Sequence, residues 1–200
     1  MLLAVSFLTT RVSSPTEQDL TKLTRLLFYL NDTKDFGLVL EVTNGLKVLA
    51  YIDASHGSHP NFKGHTGGLI SLGHGVVHAK SSKQKLNSKS STETELIGLS
   101  DYLSQVLWIR NFLIAQGYIN LEPAIVFQDN ISTITMVHKG KHIGESTRHI
   151  NIRYFFIKHY LETKEVILEY LPTESMIADI MTKPLQGALF KTLRAKLLNL

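Results

Sequence analysis

No cysteine occurs anywhere in the sequence, which excludes disulfides and thiolate zinc sites as sources of stability. No apolar run reaches the roughly 18 residues a membrane-spanning helix needs, so no membrane partner is expected. The apolar start, Met1-Leu-Leu-Ala-Val-Ser-Phe-Leu8, lacks a basic leader and a cleavage site. It reads as the end of a buried element and not as a signal peptide. Internal repeats and low-complexity linkers are missing too. The most informative scarcity is of acid: between Ala54 and Thr92 there is no Asp or Glu, while Lys63, Lys80, Lys83, Lys85, Lys89 and five histidines fall there. An acid-free stretch of that length favours contact with phosphates, although a solvated lysine loop would look the same. What remains is ordinary: 44% hydrophobic and 19% charged residues with a net charge of +4, in 200 residues that can bury a real core.

The chain alternates between two periodicities. Leu20, Leu23, Leu26, Leu27 and Leu30 recur at helical spacing, and Ser14-Pro15 supplies a cap and a first-turn proline, predicting a helix from Pro15 to Leu30. Gly37 to Glu41 reads as a strand, and Asn44-Gly45 as a hairpin turn into a strand from Leu46 to Asp53. Two further strands, Gly67 to Leu72 and Gly75 to Lys80, flank Gly73-His-Gly75 and complete an antiparallel meander. A long helix with an apolar stripe comes next, from about Thr92 to Ala115, ended by Gly117. Ala124 to Asp129 is a short apolar strand suited to the middle of a parallel sheet. Helices near 130–138 and 147–162, a strand from Val166 to Leu171, a short helix holding Asp179 and a helix from Gln186 to Leu198 end the chain. The fold class is therefore α/β, an α+β mixed sheet of three antiparallel strands followed by parallel ones, with helices on it.

Four acids stand where a sheet-based site would place them. Asp53 ends the first meander strand, Glu95 lies in the first turn of the long helix, Asp129 ends the buried strand, and Asp179 lies in a short helix after the last strand. Carboxylates at neighbouring strand ends can meet at one sheet edge, where they repel unless hard cations neutralise them. Oxygen donors without sulfur suit Mg²⁺ or Mn²⁺. Two such ions about 3.5–4 Å apart clamp the attacking and leaving oxygens of a phosphodiester. Each acid also has a plain structural explanation. Asp53 and Asp129 could cap the next element of the chain, Asp179 could face solvent, and Glu95 could close a capping box with Thr92. Ser90 with Glu93 offers a competing box that would free Glu95.

The words around these acids occur in a telling order: Tyr51-Ile-Asp-Ala54, Ser81-Ser-Lys-Gln84, Ser90-Ser-Thr-Glu-Thr-Glu-Leu96, Gln128-Asp-Asn130, Thr147-Arg-His-Ile150 with Arg153, and Pro172-Thr173 with Ala178-Asp-Ile180 and Thr182-Lys-Pro-Leu185. Together they resemble the ribonuclease H region that closes a copia-type retrotransposon polyprotein. The stretch containing Ala4-Val-Ser, Pro15, Leu26 to Leu30 and Thr33-Lys-Asp-Phe-Gly37 looks like the link from the reverse transcriptase. The resemblance implies a ribonuclease H-like fold and a two-metal endonuclease acting on the RNA strand of RNA–DNA hybrids. It implies Asp53, Glu95, Asp129 and Asp179 as catalytic residues and ligands of two Mg²⁺ or Mn²⁺ ions. For contact with the hybrid it points to Lys80, Lys83, Lys85, Lys89, Ser91, Thr92, Asn130, His149 and Arg153. The implied partners are the hybrid and the rest of the polyprotein, and the implied location is the cytoplasm or a virus-like particle. The expected organisation is a connection remnant over 1–45, the ribonuclease domain over 46–185 and a terminal helix over 186–200.

The sequence departs from that pattern at one place. In the wider ribonuclease H pattern many relatives carry a histidine in the loop before the last aspartate, whereas here Leu171-Pro-Thr-Glu-Ser-Met-Ile177 has none; Glu174 and His149 are the candidate substitutes. No Asp-Asp pair occurs, so polymerase chemistry is not expected from this chain, which reads as the downstream piece of a longer polyprotein. The leucine stripe over Pro15 to Leu30 then needs a partner, either the ribonuclease sheet or a second copy. Two other readings stand beside the enzyme: a ribonuclease H-fold remnant that only binds nucleic acid or partner chains, and an integrase-type strand-transfer enzyme. The Thr-Lys-Pro-Leu ending does not resemble the latter.

Overall fold

The computed structural model describes all residues except 43–44 and 140–147, and describes the backbone alone at 148–149. Asn44 of the expected turn, Thr147 and the side chain of His149 thus lie outside the described residues. The elements are α1 (Leu2–Thr9), α2 (Glu17–Asp32), β1 (Leu49–Ser55), β2 (His65–Ser71), β3 (Val76–Lys83), α3 (Ser91–Ala115), β4 (Ala124–Gln128), α4 (Ile131–Lys139), α5 (Arg148–Glu162), β5 (Val166–Tyr170) and α6 (Gly187–Leu198), with 3₁₀ turns at Thr173–Ser175 and Ile177–Met181.

Among the described residues, five strands form one sheet in the order β3-β2-β1-β4-β5. β1 pairs antiparallel with β2 and β2 with β3, whereas β1 pairs parallel with β4 and β4 with β5. The mixed sheet read from the sequence is the one observed. Alternation along β1 sends Ala50 and Ile52 to one face, into a core with Leu96, Leu99 and Leu103 of α3 and with Ile150 and Ile157 of α5. Tyr51 goes to the other face, where a second core gathers Met176, Ile177, Met181 and Leu193 around Leu69. Two adjacent glycines let both layers close on β2. A Cβ at Gly68 would lie 2.5 Å from the Tyr102 ring, and one at Gly67 would lie 2.6 Å from Met181 and 2.7 Å from Thr182.

Several local expectations are overturned. Gly37 to Glu41 forms no strand; it is extended, with a single bridge from Glu41 to His74. The reason is topological, because β1 has β2 on one edge and β4 on the other and offers no place for a hairpin partner. β1 itself starts at Leu49 and runs two residues beyond Asp53. The cap of α2 is Thr16, whose hydroxyl accepts from the Asp19 N–H, while Asp19 accepts from the Thr16 N–H at 3.0 Å. That reciprocal box outcompetes Ser14, leaving Pro15 outside the helix. α1 buries no residue, contrary to the reading of the start as a buried element. The leucine stripe of α2 is also uncovered: Leu20, Leu23, Leu27 and Leu30 are exposed, so the sheet is not its partner.

Candidate active site

Asp53, Asp129 and Asp179 each offer a carboxylate oxygen, and these oxygens all lie within 4.8 Å of one another. Three separate segments deliver them. Asp53 points from β1 to the face away from α3, Asp129 comes directly after the last residue of β4, and Asp179 sits in the 3₁₀ turn laid over Gly67. Gly67 is the register partner of Asp53. The missing side chain there is what lets the turn carrying Asp179 come down beside Asp53.

Glu95 reaches the same edge from the opposite face. Its carboxylate accepts from Gln128 Nε2 at 3.3 Å, which ties it to β4. It feels the charges of Asp53 and Asp129 but is not among the three acids within 4.8 Å of one another. Ser90 caps α3: its Oγ accepts from the Glu93 N–H, and the Glu93 carboxylate accepts from the Lys89 N–H at 2.7 Å. The Ser90–Glu93 alternative therefore prevails over Thr92–Glu95, and Glu95 is free for the site.

The electrostatics are those of crowded acids in a dry place. Burial first, and the charges of Asp179 and Asp129 after it, push the Asp53 carboxyl up to about 6 against the pull of Thr182 and Lys183. Burial, with Asp53 and Asp129, raises Glu95 well above the usual carboxylate range. Asp179 is raised by burial although Lys183 pulls it down. Such a set takes up positive charge readily, and its all-oxygen donors fit a hard divalent cation.

Four residues to which the sequence alone gives no role hold the acids in place. Thr182 Oγ1 donates to Asp53 Oδ2, Thr173 Oγ1 donates to Asp129 Oδ2 at 2.9 Å, and Gln128 holds Glu95. Lys183 Nζ donates to Asp179 Oδ1 at 2.7 Å and lies 3.9 Å from Asp53 Oδ1. The spacing of Asp179 and Lys183, four residues apart as in a helical ion pair, was the available signal.

The lysines and histidines of the acid-free stretch part company. His59 and His65 are buried and bonded in series: His59 Nε2 to His65 Nδ1 at 2.9 Å, His65 Nε2 to Ser81 Oγ at 2.7 Å, and Ser81 Oγ to the Met181 carbonyl at 2.6 Å. Burial, with His59 beside it, lowers His65 to about 4; this neutral chain anchors the 3₁₀ turn to the sheet. His78 is tied to Tyr102 Oη. Lys80 and Lys83 lie on β3, an edge strand of the sheet, and Lys85 and Lys89 on the loop leading to α3. Ser81, beside Lys80, sits across two strands from Asp53, roughly 10 Å at ordinary strand spacing. Lysines on an edge strand also discourage edge-to-edge pairing.

The remaining candidate contact residues sit at helix starts and between helices. Asn130 Oδ1 accepts from the Thr133 N–H and so caps α4; Ser91 and Thr92 open α3. Arg153 donates to Asp101, roughly 9 Å along α3 from Glu95, which ties α5 to α3 and leaves its charge engaged. Glu174 is exposed in the 3₁₀ turn Thr173–Ser175. No helix among the described residues is long and apolar enough to cross a membrane.

Comparison with known proteins shows what this architecture is similar to. No family model matches the chain. It is 30% identical over 195 residues to the retrovirus-related Pol polyprotein from transposon RE1 of Arabidopsis thaliana, covering 97% of this chain and 13% of that protein. It is 27% identical over 202 residues to the transposon Ty1-JR1 Gag-Pol polyprotein of Saccharomyces cerevisiae, covering 98% of this chain and 11% of that protein. The chain therefore spans about an eighth of the length of these relatives. Among solved structures, an RNase H1 isolated from compost superposes with a TM-score of 0.51 at 16% identity, over 74% of this chain and 98% of that one. The N-terminal RNase H domain of a Mycobacterium tuberculosis protein gives 0.50 at 12% identity, over 75% and 97%.

Proposed function

We propose that this chain, a homologue of copia-type retrotransposon polyproteins with a ribonuclease H-like fold, hydrolyses the RNA strand of RNA–DNA hybrids. One observation supports the reading above all others: three aspartates from β1, the end of β4 and a 3₁₀ turn converge within 4.8 Å. Structural caps have no reason to share one point, and their mutual repulsion is a standing cost.

Asp53, Asp129 and Asp179, with Glu95 beside them, would hold two Mg²⁺ or Mn²⁺ ions, which when bound supply an activated water and charge stabilisation at the leaving oxygen. The protein's own part is to fix the acids. Thr182 and Thr173 orient Asp53 and Asp129, and Gln128 orients Glu95. The products would be a 3′-hydroxyl and a 5′-phosphate. Cleavage of a labelled hybrid in Mg²⁺, with EDTA and single-stranded RNA as controls, tests the reading. Binding in metal without any cutting would favour the non-catalytic remnant instead.

Lys80, Lys83, Lys85 and Lys89 would grip phosphates and take no part in the chemistry. Neutralising Lys83 and Lys85 together is expected to weaken hybrid binding and to flatten the plot of log K against log salt by about 1 to 2, one phosphate contact per lysine. A binding titration at several salt concentrations reads this directly. An unchanged slope would leave Lys83 as a guard of the β3 edge and Lys85 as a solvated loop residue.

A further inference from the structure

The acid cluster contains one cation of its own. Lys183 Nζ lies 2.7 Å from Asp179 Oδ1 and 3.9 Å from Asp53 Oδ1, touching two of the three aspartates that converge. Its hydrogen bond to Asp179 is local, four residues back along the chain, and its side chain is 38% exposed. It therefore has a route out to solvent that the buried Asp53 and Asp179 lack. Its neighbour Thr182 is anchored on Asp53, which keeps the lysine backbone at the site wherever the ammonium goes.

We propose that Lys183 is a resident counter-cation, a positioning residue that holds the aspartates together before metal arrives and is displaced from Asp179 by it. The inference rests on the metal-dependent reading above. Shared carboxylates are its basis. A Mg²⁺ ion takes carboxylate oxygens at about 2.0–2.1 Å. An ammonium 2.7 Å from Asp179 Oδ1 cannot stay beside a divalent ion on the same carboxylate without strong like-charge repulsion. The two cations compete, so the lysine supports the empty site and weakens the filled one. Three aspartates facing a single ammonium are not neutralised by it, so displacement by two divalent ions is favourable. The lysine thus sets how much metal is needed without contributing to the hydrolysis step.

The test is a direct Mn²⁺ titration, by calorimetry or by loss of the free-ion paramagnetic signal, on the full chain. Lys183→Met is expected to bind Mn²⁺ about 3- to 10-fold more tightly than the parent, as removal of a half-exposed competing charge allows. Lys183→Gln, which keeps a donor for Asp179 but no charge, should tighten binding similarly. Lys191→Met on exposed α6 removes the same charge elsewhere and should leave affinity unchanged. In EDTA both Lys183 variants should melt below the parent, and saturating Mn²⁺ should erase the gap. If the parent binds Mn²⁺ and the variants bind it no more tightly, the counter-cation role is overturned while the metal site stands. If the parent binds no Mn²⁺, both fall together. Variants that fail to fold with or without metal would make Lys183 purely structural and overturn the proposal.

Discussion

Asp129→Asn is expected to reduce hybrid cleavage by about 100-fold or more while leaving the fold intact, since even outer contacts of a metal site cost about 10- to 100-fold when removed. The substitution keeps the shape and keeps an oxygen for Thr173 Oγ1, which now bonds Asp129 at 2.9 Å. What it removes is the charge, and charge is what the proposed site uses Asp129 for. The residue is partly exposed just beyond β4, so an amide there meets water and incurs little desolvation penalty. Far-ultraviolet circular dichroism and melting temperature should therefore stay near parental values while the rate collapses. Thr173→Ala gives the graded comparison: it loses the hydroxyl that orients Asp129 but not the ligand, and should cost roughly 10-fold. If Asp129→Asn cleaves at the parental rate, the observed activity belongs to another site or to a contaminant.

The distribution of what could be read in advance has a physical pattern. Strands and helices whose signal is periodic were legible: β2, β4, β5 and α3 stand within about two residues of where alternation or an apolar stripe put them, and β3 differs only in running on to Lys83. The strand expected over Gly37 to Glu41 was not, because whether an extended segment becomes a strand depends on a free edge, and β1 has none. The cap of α2 was misplaced for a related reason. Ser14 and Thr16 are equally good caps by composition, and the Asp19 carboxylate decides between them.

The site divides along the same line. Acids at element ends were visible as candidates, and the ordered motifs joined them. What sequence spacing could not show is that Gly67 opens the surface on which Asp179 descends, or that Gln128 of β4 holds Glu95 of α3. Those contacts join segments far apart along the chain, 33 positions in the case of Glu95 and Gln128, and topology alone sets them. The five histidines of the acid-free stretch illustrate the opposite error. Composition made them candidates for phosphate contact, yet His59 and His65 are core residues serving a buried chain to the Met181 carbonyl.

In EDTA near pH 7.5, Asp53→Asn is expected to be more stable than the parent by up to about 3 kcal/mol, the worth of a shift of about two pH units. The sign comes from the proton balance. Asp53 titrates near 3.8 when unfolded and at about 6 when folded, driven first by burial and then by Asp179 and Asp129. Between those values the folded chain binds the extra proton, so the metal-free protein loses stability as the pH rises from about 4 through 6 and does not regain it above. An amide carries no such penalty and still accepts from Thr182. The gain should therefore shrink to about 0.5 kcal/mol near pH 4, where the folded parent is protonated and the unfolded acid about half so. For a chain of this size it corresponds to roughly 5–10 °C in melting temperature at neutral pH. Saturating Mg²⁺ should reverse the order, because ligand binding stabilises only the form that can hold it. Cleavage should be lost throughout. Melting curves of both proteins at pH 4, 6 and 7.5, with and without Mg²⁺, decide the matter. A variant less stable than the parent at pH 7.5 in EDTA would mean that Asp53 is valued as a partner for Thr182 and Lys183. The opposite result would mean that the fold maintains a repulsion there whose use is to bind metal.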